Sequence, residues 1–417
     1  MKRSYSLVAL ILLTFFVISF LTNIIGPLVP QIIEDFDLSL TLVALLPFAF
    51  FIAYGIMSIP AGMLIEVLGE KRVMVIAFLV AFSGALLFAL LPSYLIAVGS
   101  LFLIGSGMAM LQVVINPLLR AAGGEENFAF NSVIGQLFFG LASFLSPLVY
   151  SYLVLNIGNE GQGALLQVLD SVVPSELPWV SLYWIFAVIS LAMIVVISLS
   201  KIPKVELQDD ERPGPLKVHL DLLKDKTVIA FFFGIFCYVG AEQGVANWIS
   251  EFLSSNHGYD PQTVGATTVS RFWGLMTAGT LLGLLLLKIL DSKIVLVTFT
   301  SGAMIALTVA LFGSGEMALI AFPAIGFLSA VMYPIIFSLA LNSVAENHGS
   351  FSGILVTGIF GGAVVPLIVG SLGDAFGLRT GMLFLYITFG YILSIGIWAK
   401  PIIRNKTVDL FSSSDNR

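Results

Sequence analysis

The stretch GMLIEVLGEKR, residues 62–72, joins two long apolar segments through a short loop that carries Glu66, Lys71 and Arg72. An apolar segment of about 20 residues is long enough to cross the hydrocarbon core of a bilayer as a helix. The whole chain follows this pattern, because 58% of its 417 residues are hydrophobic and 11% are charged. Soluble domains carry about 25% charged residues. We therefore predict an all-α membrane protein in contact with the lipid bilayer.

Twelve apolar segments are present in the chain, with Cys237 as its one cysteine. They cover residues 7–32, 42–68, 73–91, 95–119, 128–155, 180–200, 228–252, 262–288, 293–312, 317–343, 350–371 and 380–399. The first follows Lys2 and Arg3 as a signal peptide would, but it continues without a small-residue cleavage site and is interpreted as a retained helix. Prolines and a glycine predict interruptions in helix 1 (Gly26, Pro27, Pro30), helix 4 (Pro117) and helix 10 (Pro334).

The chain divides into two halves around its longest charged stretch. We predict a six-helix bundle over residues 1–200, a cytoplasmic linker over 201–227, and a second six-helix bundle with a short cytoplasmic tail over 228–417. Basic residues concentrate in cytoplasmic loops. An N-terminus in the cytoplasm places all basic residues in such loops and tails except Arg271 and Arg379. Both termini are therefore predicted to be cytoplasmic, in a multi-pass protein of the plasma membrane, with the bacterial inner membrane as the expected location.

The halves also match each other in sequence. FNSVIGQLFFGLASFLSP (130–147) overlays FSGILVTGIFGGAVVPLI (351–368) without a gap, and the same spacing pairs Gly62 with Gly283 and Arg72 with Lys293. Two six-helix repeats in parallel are typical of transporters whose substrate site lies at the bilayer midplane, between the halves. A net charge of −6 gives no indication of nucleic-acid binding.

The opening stretch resembles the loop signature of the major facilitator superfamily. Gly62 would allow close helix packing and Gly69 a tight turn, while Lys71 and Arg72 would hold a helix end or a neighbouring acid at the cytoplasmic surface. Glu66 stands where the signature has aspartate. These five residues are candidates for a motif that reports conformational switching. The alternative is an ordinary basic loop.

Two ionisable residues are predicted at membrane depth, where a charge costs about 2.5–3.5 kcal/mol on insertion scales. Glu242 lies in YVGAEQGVANWISEFL (238–253) on helix 7, and Arg271 lies at a similar predicted depth on helix 8. One interpretation is a fixed ion pair that neutralises both charges. The other is an ion-coupling site, in which Glu242 binds a proton or a sodium ion and Arg271 tunes its affinity for protons.

Amides and indoles share these helices. Gln243 and Asn247 lie on one face of helix 7. Amides both donate and accept hydrogen bonds, and aromatic faces stack on sugars. The candidate substrate-binding residues are Asn23, Gln112, Asn116, Gln136, Gln243, Asn247, Trp248 and Trp273. For each amide the alternative is a hydrogen bond between helices. The sequence has no nucleophile–base pair, phosphate loop or Cys/His cluster, so we expect neither an enzyme nor a cofactor or metal.

Longer stretches of the sequence resemble one family within this superfamily. FCYVGAEQGVANW (236–248) and YPIIFSLALNSVAENHGSFSGILVTGIFGGAVVPLIVGSLGDAFG (333–377) resemble the fucose–galactose–glucose:proton symporter family, as do VPQI (29–32) and NPLL (116–119). The resemblance implies uptake of a monosaccharide, with Asn23 and Gln136 at sugar-facing positions. It also implies acids at two positions that are Gly26 and Gln112 here. Glu242 is then the carboxylate left for ion coupling.

The predicted function is secondary active import of a monosaccharide or sugar derivative by alternating access, coupled to protons or sodium. Two other transport functions stay open: a sugar uniporter, in which Glu242 only binds sugar hydroxyls, and an exporter of small amphipathic compounds. The amides argue against the apolar cavity that an exporter would need. A membrane receptor or sensor would normally bring a sizeable soluble domain, which the segments do not provide.

Overall fold

The computed structural model describes residues 5–123, 128–159, 163–202, 216–344 and 346–402, without the side chains of residues 116, 120, 128–130 and 216. Within these ranges the secondary structure is helical, with no strand. The α-helices are α1 Tyr5–Thr22, α2 Ile25–Phe36, α3 Leu40–Leu68, α4 Glu70–Leu90, α5 Tyr94–Gly123, α6 Phe128–Asn156, α7 Ala164–Val172, α8 Ser181–Leu199, α9 Leu216–Leu222, α10 Lys226–Ala246, α11 Ile249–His257, α12 Ala266–Ile289, α13 Ser292–Phe312, α14 Gly315–Ser329, α15 Met332–Leu341, α16 His348–Thr357, α17 Gly361–Phe376, α18 Leu378–Met382 and α19 Leu385–Trp398.

Twelve helical segments in the described ranges are long and apolar enough to cross a membrane. Each overlaps one of the twelve predicted segments, so the all-helical, twelve-span prediction is confirmed. Of the predicted linker 201–227, residues 203–215 lie outside the described residues, and the described part contains α9 and the first two residues of α10.

Proline sets two of the helix breaks. The helix of the first segment is interrupted at Asn23, four residues before Pro27. The helix of the tenth segment is interrupted at Ala330, four residues before Pro334. Proline lacks the N–H that would bond the carbonyl four residues earlier, so the turn before it loosens. The predicted interruption at Pro117 is wrong, because α5 runs through that residue as one helix.

A third break comes without a proline. The predicted helix 228–252 is two helices, since α10 ends at Ala246 and α11 begins at Ile249. Asn247 and Trp248 form the turn between them. The break was not predicted because the segment has no proline.

The two sets of helices meet at the ends predicted to face outward. Gln262, at the start of the eighth segment, donates to the Oε1 atom of Gln31 on α2 over 2.7 Å. Asp374, near the end of α17, accepts from the backbone amides of Leu40 and Thr41 at the start of α3, each over 2.8 Å. The Thr41 hydroxyl adds a bond of 2.5 Å to the same carboxylate. These contacts close the outer side of the molecule.

Candidate functional site at the helix breaks

Glu242 lies on α10 with a hydrogen-bond donor on each carboxylate oxygen. The Tyr238 hydroxyl donates to Oε2 in a short bond, and the Gln243 amide donates to Oε1 over 3.2 Å. Tyr238 is buried, and its ring lies 5.7 Å from the ring of Tyr333 on α15. The carboxylate is therefore held by uncharged donors from its own helix.

Arg271 is not one of these partners. Its side chain is exposed on α12, and within the described residues it makes no hydrogen bond or ion pair. The structure therefore does not support a fixed Glu242–Arg271 ion pair. The predicted depths of the two residues are similar, but the depth of a residue does not determine which face of its helix carries it. The buried face of α12 carries the neighbouring Phe272 and Trp273 instead.

Two predicted substrate ligands are buried donors without a partner. Asn247, in the turn between α10 and α11, is 4% exposed, and Trp273 is 3% exposed. Neither the Asn247 Nδ2 atom nor the Trp273 Nε1 atom has a hydrogen-bond partner in the described part of the chain. A buried donor left unpaired costs about 1–3 kcal/mol. Such groups are therefore candidates for hydrogen bonds to a ligand.

Other predicted ligands already have partners inside the protein. The Asn23 amide donates to the Ser143 hydroxyl on α6 over 2.9 Å. Asn23 therefore makes a hydrogen bond between helices, which was the alternative to a role in substrate binding. The Trp248 indole donates to the carbonyl oxygen of Pro366 on α17 over 3.2 Å. Trp248 is almost fully buried, so it fixes the turn after α10 against α17.

The break after α1 packs directly on the break after α10. A Cβ atom built on Gly26 would lie 2.3 Å from the carbonyl oxygen of Ala246 and 3.3 Å from the Cα atom of Asn247. Real Cβ atoms do not approach a backbone oxygen so closely, so this crossing needs glycine. The backbones of the two halves therefore touch beside the Asn247 side chain.

The remaining amides lie on α5 and α6. Gln136 is exposed and lies one turn from Gly140, which packs against Thr277 of α12. Residues four apart share a helix face, so Gln136 lies on the face of α6 directed at the other half. Gln112 is half-buried on α5. The side chain of Asn116 lies outside the described part of the chain.

The opening loop holds a helix end, in both halves. Gly69 has a φ of 78° and forms the turn between α3 and α4. Lys71 donates to the carbonyl oxygens of Ser198 and Ser200 at the end of α8, each over 2.8 Å. Lys293 makes the equivalent bond in the second half, to the carbonyl oxygen of Ala399 after α19, over 2.8 Å.

The other residues of the motif differ in their exposure to solvent. Gly62 is half-buried in α3, and Glu66 and Arg72 are exposed. The sequence overlay paired Arg72 with Lys293, whereas by contact Lys71 is the counterpart of Lys293. The overlay is therefore one residue out of register here, because the turns before α4 and α13 differ in length.

Sequence reasoning missed Tyr238, the closest partner of Glu242. Its position four residues before the glutamate was the available signal, because residues at that spacing meet on a helix surface. Ser143 was also missed, since a serine in an apolar helix has no spacing that marks it as the partner of Asn23.

Twelve apolar helices, two helix breaks that pack on each other and polar side chains beside them are typical of a membrane transporter of the major facilitator fold. The family model of the Major Facilitator Superfamily matches residues 11–365, and the chain belongs to that superfamily. Its relatives are transporters, and the chain is not an enzyme.

Individual relatives cover nearly the whole chain. A protein of Brucella abortus named glucose/galactose transporter is 32% identical, over 94% of this chain and 93% of its own length. A putative glucose/galactose transporter of Helicobacter pylori is 30% identical, over 90% and 91%. The L-fucose-proton symporter of Escherichia coli is 26% identical, over 90% and 89%.

Solved structures agree on the fold. The crystal structure of FucP, a major facilitator transporter captured in the outward conformation, superposes with a TM-score of 0.67 at 25% identity, covering 94% of this chain and 98% of that one. An inward-facing bacterial homologue of the lysosomal transporter Spinster gives a TM-score of 0.73 at 15% identity, covering 94% and 96%.

Proposed function

We propose that this protein imports a monosaccharide of the glucose or galactose kind together with protons, across the inner membrane of a bacterium. The observation that carries the proposal is the pair of buried, unpaired donors of Asn247 and Trp273. Sugar hydroxyls accept hydrogen bonds, and the flat face of an indole packs on sugar C–H groups. Relatives named as glucose/galactose transporters support the same substrate class.

Protons fit the Glu242 site better than sodium does. A hard cation such as sodium needs several oxygen ligands around it. The groups that contact the Glu242 carboxylate are a hydroxyl and an amide that both donate hydrogen bonds to it. A carboxylate held by donors exchanges a proton without further ligands. The relative named L-fucose-proton symporter supports this choice of ion.

The transport cycle uses the two halves, residues 1–200 and 228–417, as rocking units. With the outer side open, Glu242 takes up a proton and the sugar binds among Gln136, Asn247 and Trp273. The halves then close on the outer side, where Gly26 lets α2 approach the end of α10. Opening on the cytoplasmic side releases both. Arg271 is exposed in this structure and has no step in the cycle.

The test is uptake of radiolabelled D-galactose and D-glucose into proteoliposomes with an imposed pH gradient. We expect accumulation that a protonophore abolishes and that removal of sodium leaves unchanged. Glu242→Gln is expected to abolish accumulation and to keep exchange of sugar across the membrane. Glu251→Gln, on α11, is the matched control and is expected to keep accumulation.

Other outcomes assign other functions. Accumulation that Glu242→Gln leaves intact would refute the role of the carboxylate. Equilibration without accumulation would indicate a uniporter, and dependence on sodium would indicate sodium coupling. Absence of uptake of either sugar, with efflux of an amphipathic dye, would indicate an exporter.

A further inference from the structure

We infer that Tyr238 is a positioning residue for proton coupling, which sets the pH at which Glu242 gives up its proton. The inference rests on the proposed role of Glu242 and adds a residue that determines the working pH of the transporter. It is carried by the hydrogen bond from the Tyr238 hydroxyl to Oε2 of Glu242 and by the packing that fixes this hydroxyl.

The tyrosine has little freedom to leave the carboxylate. Tyr238 and Glu242 are four residues apart on α10, so their side chains meet on one face of the helix. Tyr238 is 5% exposed. Its ring packs beside that of Tyr333, which in turn stacks on Phe337 with ring centroids 5.7 Å apart. The hydroxyl is therefore held in place by neighbours on α15, and not only by its bond to the carboxylate.

A donor on a carboxylate favours the charged form. Bonds to an ionised acceptor are stronger than those to a neutral one, so the Tyr238 bond stabilises Glu242 without its proton. Gln243 gives a second donor, but its bond of 3.2 Å is longer. A coupling carboxylate must release its proton on the cytoplasmic side, and burial opposes that release. Tyr238 offsets this opposition.

Further titratable groups lie on α10 itself and on the helices that pack against it: Cys237 on α10, Glu316 on α14, Tyr333 on α15, His348 on α16, Asp374 on α17, and Tyr386 and Tyr391 on α19. Tyr391 on α19 donates to the carbonyl oxygen of Ala230 over 2.9 Å. Asp374 is bonded to the start of α3. Tyr333 faces the Tyr238 ring and adds a second phenol near Glu242. Among the described residues, Tyr238 is thus the titratable group that is hydrogen-bonded to the carboxylate.

The test is an infrared titration of the purified protein. Protonated carboxyl groups give a carbonyl stretching band. The band that is present in the wild type and absent in Glu242→Gln is assigned to protonated Glu242. In Tyr238→Phe, we expect the pH at its midpoint to rise by about one to two units, the equivalent of losing one hydrogen bond to a charged group. Gln243→Met removes the weaker donor and is expected to raise the midpoint by less.

Tyr391→Phe is the matched control, because it removes a half-buried phenol hydroxyl that bonds to the same helix without touching Glu242. Its midpoint is expected to equal that of the wild type. A midpoint that moves equally in both tyrosine variants, or in neither, would overturn the inference. In transport, the pH range of D-galactose accumulation by Tyr238→Phe is expected to move in the alkaline direction with the infrared midpoint.

The two proposals fail separately. If the protein takes up no hexose but the infrared midpoint moves in Tyr238→Phe, the sugar assignment is wrong and the tyrosine still tunes the carboxylate. If proton-driven uptake is found but the midpoint does not move, the proposed function holds and the role of Tyr238 is refuted.

Discussion

Replacing Asp374 with asparagine is expected to favour the state that is open to the outside. In the closed state the carboxylate of Asp374 accepts from two backbone amides and one hydroxyl at the start of α3. A carboxylate at a helix N-terminus also interacts favourably with the helix dipole. All of these contacts cross between the two halves and must break when the outer side opens. Their loss therefore penalises the closed state alone.

The magnitude follows from the kind of contact. Asparagine keeps an acceptor oxygen for the Leu40 amide but places an NH2 group where Oδ2 accepts from Thr41. Loss of a hydrogen bond to a charged group costs about 1.5–3 kcal/mol, and an exposed charge at a helix terminus contributes about 0.3–1 kcal/mol. Asp374 is exposed and screened by solvent, so we take about 1–2 kcal/mol in total. That energy changes the ratio of outer-open to outer-closed molecules by about 5- to 30-fold.

Distances between spin labels measure this ratio. Labels at Ser93 and Glu316, both exposed near the outer ends of the two halves, are introduced after Cys237→Ser removes the one native cysteine. We expect Asp374→Asn to raise the population with the longer distance. Asp291→Asn is the control, because Asp291 caps α13 from within one half. Equal distance distributions in wild type and Asp374→Asn would refute the reasoning.

Three further changes have defined outcomes. Gly26→Ala is expected to prevent closure of the outer side, because the added Cβ would meet the Ala246 carbonyl oxygen. Sugar exchange is then expected to stop while sugar still binds from outside. Normal exchange would contradict this. Trp273→Phe keeps an aromatic ring and removes the unpaired donor. The affinity for galactose is therefore expected to fall about 5- to 10-fold without a lower melting temperature. A lower melting temperature with unchanged affinity would show that the indole has a structural role instead. Burial raises the pKa of Glu251 on α11 to about 7, so its proton is held more tightly in the fold than in the unfolded chain. Stability is then lost as pH rises through that value, and Glu251→Gln is expected to match the wild type in melting temperature at pH 5 and to exceed it at pH 8; equal values at both would contradict this.

The fold could be predicted because each membrane-spanning helix is recognised from its own segment of sequence. Each helix needs only length and apolar composition, and twelve such segments leave few alternatives. The breaks near Pro27 and Pro334 were also readable, since proline removes a specific backbone bond. The same rule failed at Pro117, because a membrane helix tolerates proline where its neighbours support the turn. The turn at Asn247 depends on packing against α17, which sequence does not show.

The site was predicted less completely, because depth and identity do not fix the direction of a side chain. Glu242 was found from its charge alone. Arg271 has a similar predicted depth, but its side chain lies on the exposed face of α12. Asn23 has the chemistry of a sugar ligand, yet its amide is used between α1 and α6. Whether an amide is free for a ligand depends on residues distant in sequence, such as Ser143.

A coupling mechanism with Glu242 as its one carboxylate has a thermodynamic ceiling. One carboxylate carries at most one proton per sugar, so each sugar molecule enters at the expense of one elementary charge crossing the membrane. A charge crossing 100 mV releases about 2.3 kcal/mol, which sustains a concentration ratio of about 50-fold for that voltage. A pH gradient would add to this ratio, and such a transporter would run in reverse if both the membrane potential and the pH gradient collapsed.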